Sequence, residues 1–386
     1  MGVPVRARRV QSARLFEAPP RRRQLLAADA GREALGVLKP QPRVALIGAL
    51  LLALAGAQLC VWLDTPLPWM IGPLFATAIA CMFGAPLRAP LGIRASGQWV
   101  IGTTLGLYFT APVVAALVSY SGWIAVGIVF ALLLGFGAGV LLHGLSGTDR
   151  CTAFFAMAVG GAAEMATQGE RHGAAVDRVA ASHSLRLMMV VGTIPFLVRW
   201  WTGHGHGPGL DLFVPGATAV SYGALLVLIC LTGLGGLACL RLDVPNAWVI
   251  GPLFVAIGLT VGGVHLSRLP EWMVAGGQLC IGISLGTRFT PGFVHTAPRF
   301  LVACAACTLV MMLLGAGFGA TLAALGGINP GTAILATSPG GIAEMSLTAR
   351  NLHLGVPIVT AFHVSRMVAV VLLIGPLYRL STKFQR

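Results

Sequence analysis

Charge is scarce in this sequence. Of its 386 residues, 10% are Asp, Glu, Lys or Arg, against roughly 25% in soluble globular proteins. Hydrophobic residues make up 56% and the mean hydropathy is +0.84. Too few polar side chains remain to cover a water-facing surface, so the exterior must face lipid. That excludes a disordered chain and a soluble enzyme. Cysteine is thin and scattered, at positions 60, 81, 151, 230, 239, 280, 304 and 307, which excludes a secreted disulfide scaffold. Cys304 and Cys307 form a CxxC, but inside an apolar run without a nearby His. They read as two small residues on one helix face. No apolar core of a signal peptide precedes Val44, so a secretory leader is not expected. Basic residues are not interleaved with aromatics and no recognition motif is present, so nucleic acid is not an expected partner.

Glycine is abundant, at 51 residues, about twice the usual share. Glycine suits close helix packing and broken helices in a membrane. The net charge of +14 divides evenly: residues 1–43 hold ten Lys/Arg against three acids, and the rest hold sixteen against nine. A basic segment before the first hydrophobic span keeps the N-terminus cytoplasmic and is drawn to anionic headgroups.

About 20 apolar residues span a bilayer. Val44–Leu63, Leu67–Gly84, Gly97–Ser119 and Trp123–Leu142 fit, the third interrupted at Thr110-Ala-Pro112. Cys151–Ala163 is too short to cross, and Val179–Val198 is long enough but carries His183 and Arg186. The series then repeats at 217–239, 246–264, 271–289, 300–325, 332–343 and 356–378.

That recurrence is a duplication. Trp69-Met-Ile-Gly-Pro-Leu-Phe75 returns as Trp248-Val-Ile-Gly-Pro-Leu-Phe254, with six of seven residues identical. GQWVIGTTLGLYFT at 97–110 returns as GQLCIGISLGTRFT at 277–290, with eight of fourteen identical. GGAAEM at 160–165 returns as GGIAEM at 340–345, and His183 and Arg186 return as His363 and Arg366. The offset is 179 residues at the first motif and 180 afterwards.

If the short GG segment is re-entrant, each copy has five spans and the copies are inverted. If it crosses, each has six and they are parallel. With the N-terminus inside, inversion puts Arg88, Arg94, Arg150, Arg171, Arg178, Arg241, Arg288 and Arg299 inside, and Arg199, Arg268 and Arg350 outside. The parallel arrangement puts five inside and six outside. The positive-inside rule favours inversion, and both arrangements place the C-terminus inside. The expected organisation is a basic tail at 1–43, a membrane repeat at 44–200, a linker at 201–216, a second repeat at 217–380 and a cytoplasmic C-terminus at 381–386. The fold class is an all-α integral membrane protein with about ten transmembrane helices and two glycine-broken re-entrant hairpins.

Short, glycine-interrupted hydrophobic segments at matching positions of two repeats are a pointer to a transporter's binding site. Breaks at Gly160-Gly161 and Gly340-Gly341 free backbone groups that lipid cannot satisfy. Glu164 and Glu344 follow those breaks, and each is followed by His at +19 and Arg at +22. His183/Arg186 and His363/Arg366 are i, i+3 pairs on one helix face. Ionisable groups within spans are costly and therefore functional candidates. Two readings stand: Glu as a proton or cation site with Arg on an anionic group, or Glu and Arg as an ion pair pinning the hairpin. Gln98 and Gln278 open the glycine-rich spans and could hydrogen-bond a solute. Alternatively they join helices alongside Gly102, Gly106, Gly282 and Gly286 as packing notches. Asp64 and Asp243 read as turn or N-cap residues. His204 and His206 read as part of a linker, and no metal site, catalytic residue or cofactor is expected.

The repeated WxIGPLF, GQxxIGxxLGxxFT and GGxAEM blocks resemble the AbrB-type bacterial membrane protein family, defined by a duplicated membrane domain. The resemblance covers about residues 44–380. It implies a multi-pass bacterial inner-membrane protein, in a family whose members carry labels such as ammonia monooxygenase or regulator of gene expression. Oxygen chemistry on copper or iron needs clustered imidazole and carboxylate ligands. Here each candidate set is a His, a Glu and an Arg. The favoured function is a secondary transporter of a small, in one reading anionic, solute, with any effect on gene expression indirect. The second reading is a membrane sensor or regulator without transport, and the third a monooxygenase. The partners that fit the favoured reading are the lipid bilayer, a small solute or ion, and a second copy of the chain.

Overall fold

The computed structural model describes residues 42–203, 219–289, 291 and 298–383, and every described element is helical. The basic tail up to residue 41, His204 and His206 of the linker, and residues 384–386 lie outside them. Leu46–Arg386 forms one compact unit, which contains the site. The first helices are α1 (Pro42–Trp62), α2 (Pro68–Met82), α3 (Leu91–Gly106), α4 (Ala111–Ser119) and α5 (Ser121–Ser146). Then come α6 (Arg150–Met157), α7 (Ala162–Arg171) and α8 (Val176–Gly203). After them come α9 (Tyr222–Arg241), α10 (Ala247–Val261), α11 (Glu271–Gly286), α12 (Pro298–Gly326), α13 (Pro330–Thr337), α14 (Ile342–Asn351) and α15 (Val356–Lys383).

Among the described residues, α1, α5, α8, α9, α12 and α15 are long and apolar enough to cross a bilayer. Their outward faces carry large apolar side chains, such as Leu51, Leu133, Leu234 and Leu313, that water would not tolerate in such number. The chain is a multi-pass membrane protein. The third expected span is not straight. It begins at Leu91, where Pro90 starts the helix, so Arg94 lies in the helix and not in a loop. Between α3 and α4 the axis turns by 85°. Pro112 sits in the first turn of α4, where its ring cannot continue the preceding helix. Both short GG segments are each two helices, not one.

The turns before α2 and α10 match. Asp64 and Asp243 are left-handed at φ 48° and 51°, and Leu67 and Asn246 at φ 53° and 51°. The N-caps are Leu67 and Asn246, so the aspartates are turn residues and not caps.

Glycine sets the packing of α2, α3, α10 and α11. A Cβ on Gly106 of α3 would stand 2.6 Å from the Leu253 carbonyl oxygen of α10. One on Gly282 of α11 would stand 2.6 Å from the Met70 carbonyl oxygen of α2. Real Cβ atoms do not approach so closely, so backbone touches backbone only because these residues are glycine. The packing-notch reading of Gly102, Gly106, Gly282 and Gly286 therefore describes what they do. The seat of each GQxxIGxxLG helix is the WxIGPLF helix of the other half. A second group joins α5 to α6, α12 to α13, and α8 and α15 to the short helices. The two groups meet where α14 and α15 touch α3 and where α8 touches α2.

Candidate functional site

Each short pair of helices is a closed hairpin. Asp149 caps α6 by accepting from the Thr152 amide at 2.8 Å, and the Ala175 amide donates back to Thr152 Oγ1 at 2.8 Å. Cys151 Sγ donates to the His172 carbonyl at 3.3 Å. The chain therefore enters and leaves the α6–α7 hairpin at one level. In α13–α14, Asn329 accepts from the Thr332 amide at 3.3 Å, and the Gly355 amide donates to Thr332 Oγ1 at 3.0 Å. The sequence signal for this closure is an Asp or Asn three residues before a Thr in both copies, which periodicity alone does not single out.

At the tips, GGxAEM is a steric fit. Gly161 and Gly341 are the N-cap residues of α7 and α14. Glu164 and Glu344 sit at the third helical position, and their carboxylates fold back into the space a Cβ on Gly161 or Gly341 would occupy. An acidic side chain there suits the positive end of the helix. A Cβ on Gly160 would press on Met165 Cε at 2.9 Å, and one on Gly340 on Met345 Cγ at 2.6 Å. The first glycine makes room for the methionine and the second for the glutamate.

Behind each tip a long helix supplies donors. Arg186 of α8 donates from Nη1 to the Ala158 carbonyl at 2.9 Å and the Met157 carbonyl at 3.4 Å, and from Nη2 to the Gly160 carbonyl at 3.4 Å. Its Nη2 also meets His183 Nδ1 at 2.9 Å, so that nitrogen accepts and Nε2–H donates to the Phe155 carbonyl at 3.0 Å. In the other copy, Arg366 of α15 donates to the carbonyls of Ser338 and Gly340, each at 2.7 Å, and meets His363 Nδ1 at 2.9 Å. His363 Nε2 donates to the Leu335 carbonyl at 2.9 Å. A half-helix ending inside protein leaves its last carbonyls without amide partners, and a buried cation with several donors satisfies them. His183, Arg186, His363 and Arg366 are all buried. The arginines pin the hairpins through the backbone and not through the glutamates. The side-chain ion pairs among the described residues are Asp64–Arg199 and Glu271–Arg350.

Both glycine tips line one cavity of about 100 Å³. Of the expected site residues it takes Gln98, Gly160, Gly161, His183, Arg186, Gly340, Gly341 and Glu344. Glu164, Gln278, His363 and Arg366 are not among its lining residues. Three polar residues that the duplication does not pick out complete it: Arg94 of α3, Asn246 at the start of α10, and Arg288 just after α11. Their counterparts at the repeat offsets are Val274, Leu67 and Tyr108, so no repeated polar pair points to them. Gln98 Nε2 donates to Asn246 Oδ1 at 3.4 Å. Among the described residues, no three His, Cys, Asp or Glu side chains are grouped to hold a metal ion.

A multi-pass helical membrane protein with two glycine-tipped hairpins at one polar cavity is the class these features define. Residues 69–382 match the family model described as "Transition state regulatory protein AbrB", and the chain belongs to that family. It is similar to "Uncharacterized protein YhjN" of Bacillus subtilis (strain 168), 26% identical over 334 residues, covering 81% of this chain and 86% of the relative. It is also similar to "Putative regulator AbrB" of Escherichia coli (strain K12), 26% identical over 311 residues, covering 81% of this chain and 88% of the relative.

Proposed function

We propose that this protein is a bacterial inner-membrane secondary transporter of a small solute, built from two inverted five-span repeats with re-entrant hairpins. The observation that carries the reading is that both hairpin tips line one cavity that also holds the buried carboxylate of Glu344. Broken helices with buried backbone ends meeting at an ionisable group are how transporters build a site within the bilayer. In this reading α2, α3, α10 and α11 act as short spans, giving ten with the six long helices.

The two ion pairs support inversion. With the N-terminus inside, inverted repeats put Asp64 and Arg199 on the outer side, and Glu271 and Arg350 there too. Parallel repeats would put the members of each pair on opposite sides of the membrane. The pairs join Asp64 to Arg199, and Glu271 to Arg350 at 2.7 Å. Both termini are then cytoplasmic.

Glu344 carries the coupling proton or cation at the cavity, and Glu164 holds the matching position in the other copy. Movement of the hairpin group against the α2–α3–α10–α11 group opens the cavity to each side in turn. The test is reconstitution into proteoliposomes on a solid-supported membrane, with concentration jumps of acetate, phosphate, glycine and ammonium. A current from at least one solute, lost in Glu344→Gln with membrane insertion intact, is the expected result. Correctly inserted protein giving no current with any of them overturns transport. The name of the Escherichia coli relative favours a second reading, a membrane sensor of the same ligand that regulates through a partner. Binding without flux is its signature.

A further inference from the structure

We propose that the cavity is an anion site for a small carboxylate or inorganic oxyanion, and that it is one-sided, with Arg94 and Arg288 as its ligand-binding cations. The proposal rests on the transporter reading only for the steps after binding; the site itself stands on geometry.

Three cations face this cavity, and they divide by what they already hold. Arg186 is committed to the carbonyls of Met157, Ala158 and Gly160. Arg94 and Arg288 both line the cavity, and among the described residues neither guanidinium donates a hydrogen bond or closes an ion pair. They lie near enough to act electrostatically on one another and on Glu344. Two like charges beside one carboxylate leave an excess of positive charge in a partly buried space, which is unfavourable until an anion enters. Guanidinium is also the group that matches the two oxygens of a carboxylate or phosphate with paired donors. The amides of Gln98 and Asn246 add neutral polar groups at the rim.

Size narrows the class. A cavity of about 100 Å³ is well below the roughly 300–1,000 Å³ of pockets for drug-sized ligands. An ion of a few non-hydrogen atoms fits; a nucleotide or a sugar phosphate does not.

The one-sidedness comes from divergence between the copies. At the positions matching Arg94, Arg288 and Asn246 the other copy has Val274, Tyr108 and Leu67, and Leu67 is buried. The backbone is kept, since Leu67 and Asn246 share a left-handed conformation, while the polar chemistry is not. At these three positions the polar groups of the site therefore come from Arg94, Asn246 and Arg288 alone, and the matching positions of the other copy supply none that are charged.

Equilibrium dialysis of the purified full-length protein in detergent tests this, with radiolabelled acetate, phosphate and methylammonium. Acetate, phosphate or both should bind and be displaced by the unlabelled ion, and the stronger of the two names the source. Methylammonium should not bind. Arg94→Gln and Arg288→Gln should each weaken binding about tenfold or more, Arg94→Lys less, and Val274→Ala not at all. The Gln variants should elute and melt like the parent, since neither guanidinium bonds to another of the described residues. Binding of methylammonium in place of the anions, no anion binding below about 10 mM, or unchanged anion affinity in both Gln variants would each overturn the proposal. Anion binding that depends on the two arginines, without flux in proteoliposomes, keeps this site and removes the transporter reading instead.

Discussion

The carboxylate of Glu344 occupies the space in which a side chain on Gly341 would have to begin. The two residues are one device: the glycine leaves a hole at the helix N-cap and the glutamate, three positions on, fills it. Gly341→Ala should therefore displace the carboxylate and cost about 1–3 kcal/mol, read as a lower melting temperature. Gly258→Ala is the control. Its Cβ would have nothing within 4 Å, and a helical Gly→Ala change of that kind stabilises by about 0.4–1 kcal/mol. Equal effects from the two would show that Gly341 is not shaped around Glu344.

The cations of the site should separate by what they do. Arg186→Ala leaves three carbonyls at a broken helix end without their donor, a loss of about 2–4 kcal/mol. Arg186→Lys should recover only part, because an ammonium cannot reproduce the fork. Arg94→Gln should stay within about 0.5 kcal/mol of the parent. Thermal unfolding in one detergent orders the three. A melting temperature for Arg94→Gln as low as that for Arg186→Ala would make Arg94 structural.

Sidedness can be read without knowing a ligand. In a background without the eight native cysteines, His172→Cys should resist an impermeant thiol reagent on intact cells and react after lysis. Arg350→Cys should react on intact cells. His172 lies at the closure of the first hairpin and Arg350 lies in the last turn of α14 of the second. Inverted repeats place the two on opposite sides. Labelling of His172→Cys on intact cells would make the repeats parallel.

The two carboxylates should not be equivalent. Glu344 lines the cavity and is buried, whereas Glu164 is half-buried and does not line it. Glu344→Gln should abolish solute-driven current, and Glu164→Gln should leave a measurable part of it. Loss of current in Glu164→Gln alone would reverse the assignment.

Much of this was legible in the residues. Hydropathy placed the six long apolar helices, and the doubled motifs placed the glycine breaks between the short helices and the His–Arg helices behind them. The partner of Arg186 was not legible, because its acceptors are backbone carbonyls, and every residue has one. A search among side chains finds Glu164 and stops there. Arg94 and Arg288 were hidden for another reason. Reading the two copies together brings out what they share, and these arginines occur where the copies differ. The bend at Pro112 was visible as a break, but a sequence carries no angle.

The seating of each glycine-rich helix on the partner repeat's WxIGPLF helix has a consequence for how the protein is made. When the first half has left the ribosome, the backbone notches at Gly102 and Gly106 have nothing to receive. Their seats, Val249 and Leu253, belong to a helix not yet synthesised. The early half is an unfinished joint, held in the bilayer until its other face arrives. Separate translation of the two halves in one cell should restore what neither half can form alone.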